Sequence, residues 1–307
     1  MNHLFRIGTR GSPLALAQAH MVRDLLAPTG MLSAGVEIKI FKTSGDRIQD
    51  RPLSEVGGKG LFTKELEEAL LAGDIDVAVH SIKDMATRLP NSLVLAAALP
   101  REDVRDVFMS LKYSTLDELP KGARFGTSSL RRASQILNLR PDLSIVEFRG
   151  NVQTRLQKLS DGIADATLLA LAGLKRLGMA DRATAIIADD VLLPAVAQGA
   201  IGLEVRVGDE TAMAAAAALN HQPTLVAVTA ERAFLRVLDG SCRTPIAGHA
   251  RLEGGQLHFR GQVLSPDGRR SVMVTRSGQV GDAIAIGEGA AAEALEKAGA
   301  DLLGARS

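Results

Sequence analysis

The sequence predicts an α/β protein closed by a small α+β domain. Three observations carry this: β-type runs alternate with helical patterns as far as residue 207, the pattern after Asn220 changes to one helix followed by three adjacent β-runs, and hairpin-type turns join those runs. Alternation of the first kind marks a mostly parallel sheet with crossover helices.

The first group of strands falls at 4–8, 36–41, 75–80, 123–126, 144–148, 164–169 and 201–205. After a helix predicted over 224–238, the β-runs 247–252, 256–264 and 269–276 are connected by Glu253-Gly254-Gly255 and Ser265-Pro266-Asp267-Gly268, where Gly or Pro supplies the special backbone angles. An alanine-rich helix over 283–303 ends the pattern. With 307 residues, 46% of them hydrophobic, the chain can fill two or three cores.

Charge and composition exclude several function classes. A formal net charge of +1 rules out a broad basic field for nucleic acid, and 3% aromatic residues without tryptophan leave little for base stacking. No apolar stretch approaches the roughly 20 residues of a membrane span. The N-terminus shows no leader pattern, so a soluble, cytoplasmic protein is expected. The single cysteine, Cys242, can form neither an internal disulfide nor a Cys-type zinc site, and no metal is expected.

The arginines fall in a repeated place. Strands end in a Gly or hydroxyl turn that opens a helix, with arginines at the junction or in the first turns: Gly8-Thr9-Arg10-Gly11-Ser12-Pro13, then Gly126-Thr127-Ser128-Ser129-Leu130-Arg131-Arg132, then Arg149-Gly150-Asn151 with Arg155, and Leu171-Ala172-Gly173 with Lys175 and Arg176. Ser12 is placed to cap a helix that starts at Pro13. In an open α/β sheet such junctions line a crevice at the carboxyl ends of the strands. Helix N-termini and guanidinium forks there suit a ligand with several carboxylates.

Val79-His80-Ser81-Ile82-Lys83-Asp84 brings a carboxylate to the same edge, which indicates a ligand anionic at its rim and cationic at its reacting centre. Gly240-Ser241-Cys242-Arg243-Thr244-Pro245 sets the thiol in an electropositive loop that favours thiolate. Residues 42–60 read as a lid with Lys59 and Phe62 entering the site. Lys59 is followed by Gly60, so the glycines there do not make a phosphate loop.

The segments RIGTRGSPLALAQA, VGGKGLFTKELE, DVAVHSIKD, GTSSLRR, FRGNVQTRL, LALAGLKRLG, LPAVAQGAIGLE and GSCRTPI occur in order over nearly the whole chain. In these the sequence resembles the porphobilinogen deaminase family. It departs from the family pattern at Met85-Ala86, where Val-Pro is usual, at Glu55, where a basic residue is frequent, and at Ser241, where a second glycine is usual.

The resemblance implies two α/β domains like those of periplasmic binding proteins, 1–99 with 200–217 and 105–193, and an α+β domain over 222–307. Crossings near 100–104 and 194–199 would allow opening and closing. It implies condensation of four porphobilinogen molecules, with loss of ammonia, on a dipyrromethane cofactor joined to Cys242 by a thioether. The linear tetrapyrrole hydroxymethylbilane would be released by water and passed to the next tetrapyrrole-pathway enzyme. Asp84 takes the role of catalytic carboxylate. Lys83, Ser81, Arg131, Arg132, Thr127, Ser128, Ser129, Asn151, Arg155 and Arg206 are implied in cofactor binding, and Arg10, Ser12, Arg149, Arg155, Arg176, Gln198, Lys59 and Phe62 in substrate binding. A monomer is implied, with neither nucleic acid nor membrane as partner. The rival reading is a non-catalytic polycarboxylate-binding module of the periplasmic type, which would share the arginines but has no need of Cys242.

Overall fold

The computed structural model describes residues 4–30, 32, 35–47, 60–238 and 245–299. In chain order the elements are β1 (Phe5–Arg10), α1 (Pro13–Leu26), β2 (Val36–Phe41), α2 (Ser44–Arg47), α3 (Lys64–Leu71), β3 (Val77–Ser81), β4 (Leu93–Ala98), β5 (Asp106–Met109), β6 (Arg124–Gly126), α4 (Leu130–Leu139) and β7 (Ser144–Val146). Then follow α5 (Val152–Ser160), β8 (Ala166–Ala170), α6 (Leu171–Arg176), β9 (Ala185–Ile186), β10 (Ile201–Arg206), α7 (Glu210–Leu219), α8 (Gln222–Val237), β11 (Ile246–Glu253), β12 (Gln256–Leu264), β13 (Ser271–Gln279) and α9 (Ala283–Ala298).

Among the described residues the strands form three sheets, in the orders β2-β1-β3-β10-β4, β7-β6-β8-β5-β9 and β11-β12-β13. The chain divides into two compact units, Met1–Glu102 with Gly199–Leu225, and Asp103–Gln198 with Val226–Ser307. The fold class read from the sequence is present: two α/β sheets and a small C-terminal sheet with helices.

In the first unit, β1 runs parallel to β2 and β3, while β10 is antiparallel to both β3 and β4. Four of its five strands therefore run the same way, as a mostly parallel sheet requires, and β10 alone is reversed. A strand that arrives from a distant part of the chain needs no crossover helix, so nothing constrains it to run with its neighbours. The second unit repeats the pattern, with β6 parallel to β7 and β8 but β5 antiparallel to β8 and β9. The core of the first unit joins Ile7, Val77, Val79 and Leu203 to Val22 and Leu26 of α1 and to Ala212, Ala215 and Ala216 of α7. In the second α/β sheet, Phe108, Phe125 and Leu168 bury with Ile136 of α4.

The C-terminal strands form an antiparallel meander with Ile246 opposite Val263 and Gly261 opposite Val274. Phe234 of α8 lies against Phe259 of β12, ring centroids 4.9 Å apart. The small residues of α9 let it close onto α8: a Cβ at Gly287 would stand 2.1 Å from the Ala230 carbonyl. The helix expected over 283–303 ends at Ala298, where Gly299 takes φ 69°, and 300–303 lie outside the described residues. The expected lid over 42–60 begins with the short helix α2, and 48–59 likewise lie outside.

Candidate active site

In the first unit the site grows from three strand ends. β1 stops at Arg10, and Ser12 caps α1 by accepting from the Ala15 N–H at 3.2 Å, with Pro13 at the first helical position. β3 is the parallel neighbour of β1, so its end, Ser81, and the 3-10 turn Ile82–Asp84 emerge at the same edge. β2 flanks β1 on the other side and leads to Asp46 on α2.

Arg10 is the hub. Its Nε and Nη2 donate to the two carboxylate oxygens of Asp46 at 3.2 and 2.5 Å, its Nη1 stands 3.8 Å from Asp84 Oδ2, and its guanidinium carbon lies 4.1 Å from the Phe62 ring centroid. Asp46 also accepts from Thr43 Oγ1 at 2.6 Å. Burial by itself would raise the Asp46 carboxyl, but the hydrogen bonds from Arg10 and Thr43 and the Arg10 charge hold it below the usual carboxylate range.

Asp84 keeps 38% of its side chain exposed. Among the described residues one guanidinium stands between two carboxylates, and its bidentate pairing goes to Asp46 rather than to Asp84. Arg10, Ser12, Gln18, Phe62, Ser81 and Asp84 line one pocket. Gln18, buried at 2% exposure, donates to Ser81 Oγ at 2.8 Å and fixes that hydroxyl.

The second unit carries a cationic cluster. β6 ends in Thr127, Ser128 and Ser129, and Ser129 caps α4 by accepting from the Arg132 N–H at 3.4 Å. Thr127 Oγ1 accepts from the Ser129 N–H at 3.1 Å and Ser128 Oγ from the Phe148 N–H at 3.1 Å. Arg131 and Arg132, each 6% exposed, both turn to Asp106, which is fully buried: Arg131 Nη2 donates to Oδ2 at 2.7 Å and Arg132 Nη2 to Oδ1 at 2.9 Å. Gln198 Nε2 adds a bond to Asp106 Oδ1 at 2.8 Å, and Arg131 Nη1 donates to the Leu193 carbonyl at 2.8 Å.

Burial would raise the Asp106 carboxyl, yet the two guanidinium charges and their hydrogen bonds reverse this and hold it far below the usual range. Two guanidinium groups sharing one carboxylate leave one surplus positive charge. Arg131 Nε is buried with no hydrogen-bond partner among the described residues. A surplus cation and an unmatched donor beside a helix N-terminus fit a carboxylate-bearing group such as dipyrromethane.

The structure thus brings Arg10, Ser12, Phe62, Ser81 and Asp84 together in one unit, and Thr127, Ser129, Arg131, Arg132 and Gln198 in the other. Asn151 caps α5 through the Thr154 N–H at 2.8 Å, Arg155 Nε donates to the Gly150 carbonyl at 2.9 Å, and the Arg149 carbonyl accepts from Lys158 Nζ at 3.0 Å. Lys83 is exposed on the turn beside Asp84. Lys59 and Cys242 lie outside the described residues.

Arg206 and Arg176 each stand at the end of an element. Arg206 ends the antiparallel strand β10 at the edge away from Asp84, where it donates to the Leu70 and Ile75 carbonyls at 2.7 and 2.6 Å and pairs with Asp209 and Asp76. Arg176 closes the six-residue α6, within the first turns where the sequence places it. Sequence reasoning missed Asp46, Asp106 and Gln18. The acidic run Glu102-Asp103 ahead of Asp106 masked the one acid that turns inward, and no local signal names a buried partner 25 residues from its arginine.

The chain matches the family model described as porphobilinogen deaminase, dipyromethane cofactor binding domain, over residues 5–214, and the porphobilinogen deaminase C-terminal domain over 225–296. It is 58% identical over 297 residues to a porphobilinogen deaminase of Nitrobacter winogradskyi, covering 96% of this chain and 94% of the relative. Identity to a chloroplastic porphobilinogen deaminase of Pisum sativum is 55%, over 96% of this chain and 82% of that one. Among solved structures, the methionine binding protein MetQ is similar at 14% identity with a TM-score of 0.46, over 71% of this chain and 90% of that chain. With both family domains matched in succession and more than half of all residues shared with such relatives, the chain belongs to the porphobilinogen deaminase family.

Proposed function

We propose that this chain is a hydroxymethylbilane synthase, a transferase that condenses four porphobilinogen molecules with loss of ammonia and releases the linear tetrapyrrole by hydrolysis, with Asp84 as its catalytic carboxylate. The observation that carries the residue assignment is that Asp84 reaches a pocket in which Arg10, the one lining arginine among the described residues, gives its bidentate pairing to Asp46. Dipyrromethane, when bound at Cys242, supplies the pyrrole that primes chain growth.

Porphobilinogen carries acetate and propionate side chains and an aminomethyl group. When the C–N bond of the ammonium form breaks, the electron pair leaves with ammonia and the pyrrole is left cationic. Asp84 stabilises that developing charge and accepts a hydrogen bond from the pyrrole N–H. Ser12 and Ser81 offer hydroxyl groups at the same pocket, and Phe62 walls it on one side. The surplus charge of Arg131 and Arg132, with Thr127, Ser128, Ser129 and Asn151, takes cofactor carboxylates. Arg149, Arg155 and Arg176 are assigned to carboxylates of incoming and growing rings, with Gln198 holding Asp106 in place, and Lys59 and Lys83 add positive charge.

We further propose three domains with the bounds 1–99 with 200–217, 105–193 and 222–307. The protein is assigned to the cytoplasm as a monomer that hands its product to the next tetrapyrrole-pathway enzyme; among the described residues no helix is long and apolar enough to cross a membrane.

The test is intact-mass measurement with a turnover assay. The purified chain should carry the added mass of two pyrrole units, Cys242→Ala should lack it, and porphobilinogen should be consumed only by the adduct-bearing form. A chain without adduct that leaves porphobilinogen untouched defeats the reading. Asp46→Asn tests the pocket charge separately. Freed from Asp46, Arg10 turns to Asp84 and cancels it, so kcat should fall by about tenfold or more, equivalent to about 1.4 kcal/mol of barrier, with melting temperature as the control for folding.

A further inference from the structure

The C-terminal sheet meets α4 at one turn, the connection between β12 and β13. The turn is closed by the Ser265 N–H to the Arg270 carbonyl and the Gly268 N–H to the Ser265 carbonyl, both at 2.9 Å. The Asp267 carboxylate stiffens it by accepting from Ser265 Oγ at 2.5 Å and the Arg269 N–H at 3.1 Å. Two α4 side chains then grip its backbone: Ser134 Oγ donates to the Pro266 carbonyl at 3.1 Å and Asn138 Nδ2 to the Gly268 carbonyl at 2.7 Å. Gly268 has φ 72°, and a Cβ built there would stand 2.5 Å from the Ser134 carbonyl oxygen and 2.6 Å from the Asn138 nitrogen. The contact is backbone on backbone, so no flexible side chain can yield.

Each side of this contact leads to chemistry. On α4, Ser134 lies about one helical turn after Arg131, whose guanidinium sits in the Asp106 cluster. On the sheet, the turn begins where β12 ends, and there the Leu264 N–H donates to the Pro245 carbonyl at 3.1 Å while Ile246 pairs with Val263. The chain that follows residues 239–244 is therefore fastened at the same sheet end.

We propose that the β12–β13 turn is a positioning contact: through Gly268, Ser134 and Asn138 it holds the sheet end at Pro245, three residues after Cys242 in sequence, in fixed register against the helix bearing Arg131 and Arg132. The inference rests on the reading that Cys242 carries dipyrromethane whose carboxylates go to those arginines. A covalent tether and an ionic clamp reinforce one another only when the spacing lets both engage at once, and a shift of about 1 Å can cost about 10²-fold.

The experiment follows adduct formation by intact mass when chain made in cells unable to produce porphobilinogen is mixed with porphobilinogen. Gly268→Ala is compared with Gly255→Ala in the β11–β12 turn, where φ is 78° and a Cβ would meet nothing within 4 Å. Both variants carry left-handed strain, but only the first disturbs the seat on α4. Gly255→Ala should load at the wild-type rate and Gly268→Ala at least tenfold more slowly per folded molecule. Because Gly268→Ala adds a clash, a Ser134→Ala and Asn138→Ala double variant, which only removes hydrogen bonds, is measured beside it; it should keep the wild-type circular dichroism and load at least threefold more slowly. Wild-type loading by the folded double variant overturns the proposal, as does equal slowing in Gly255→Ala. A wild-type chain that never gains the adduct overturns the functional reading itself, and the proposal with it.

Discussion

Asp84→Asn is expected to lower kcat by roughly 10²–10⁴-fold, the range for loss of a positioned acid–base or charge-stabilising group. The amide has the same shape but lacks the charge, and Arg10 already has Asp46 as its bidentate partner, so the pocket should keep its form. Melting temperature should hold: with 38% of the side chain exposed and the nearest guanidinium nitrogen at 3.8 Å, the Asp84 pair contributes about 0–1 kcal/mol. The two-pyrrole adduct should be retained, which intact mass can read in the same preparation. Near-wild-type turnover would remove Asp84 from its role, and a parallel collapse of melting temperature would reassign it to structure.

Asp106→Asn is expected to act on stability. It leaves Arg131 and Arg132, each 6% exposed, without the anion they share. Stripping one partner from a buried ion cluster costs about 3–5 kcal/mol, and at about 2–4 °C per kcal/mol for a chain of this class the melting temperature should drop by roughly 10 °C. The pH dependence has a definite sign. Asp106 titrates lower in the folded chain than its ordinary value of 3.8, so the unfolded chain binds protons first as the solution becomes acid. The stabilisation is complete above that ordinary value and is lost as pH falls through it toward the folded value. The variant should show a shallower loss of stability below about pH 4. Denaturant titrations of both proteins at neutral and acid pH measure this, and identical acid slopes would contradict the buried ion cluster.

Much of the fold is legible because it is written in local patterns. The strands at 36–41 and 256–264 match β2 and β12 to the residue, and the hairpin turns stand where Gly and Pro place them. The missed strands β4, β5 and β9 are short and apolar, with no alternation to separate them from loop or helix. Their pairing is antiparallel, which the chain order around them does not announce.

The same division holds in the site. By itself the sequence determined the strand–turn–helix junctions and their caps, because Ser12, Ser129 and Asn151 each bond a backbone N–H three residues ahead. It also determined which residue types reach those junctions. Only the tertiary structure decided which charges meet: Arg10 with Asp46 across 36 positions, Arg131 with Asp106 across 25 and Arg206 with Asp76 across 130. A cap is a local contact set by backbone geometry, whereas the partner of an arginine depends on which strands the sheet makes neighbours and how far each is buried. For that reason Arg206 serves an edge remote from Asp84, and Asp106 stands at the centre of the arginine cluster.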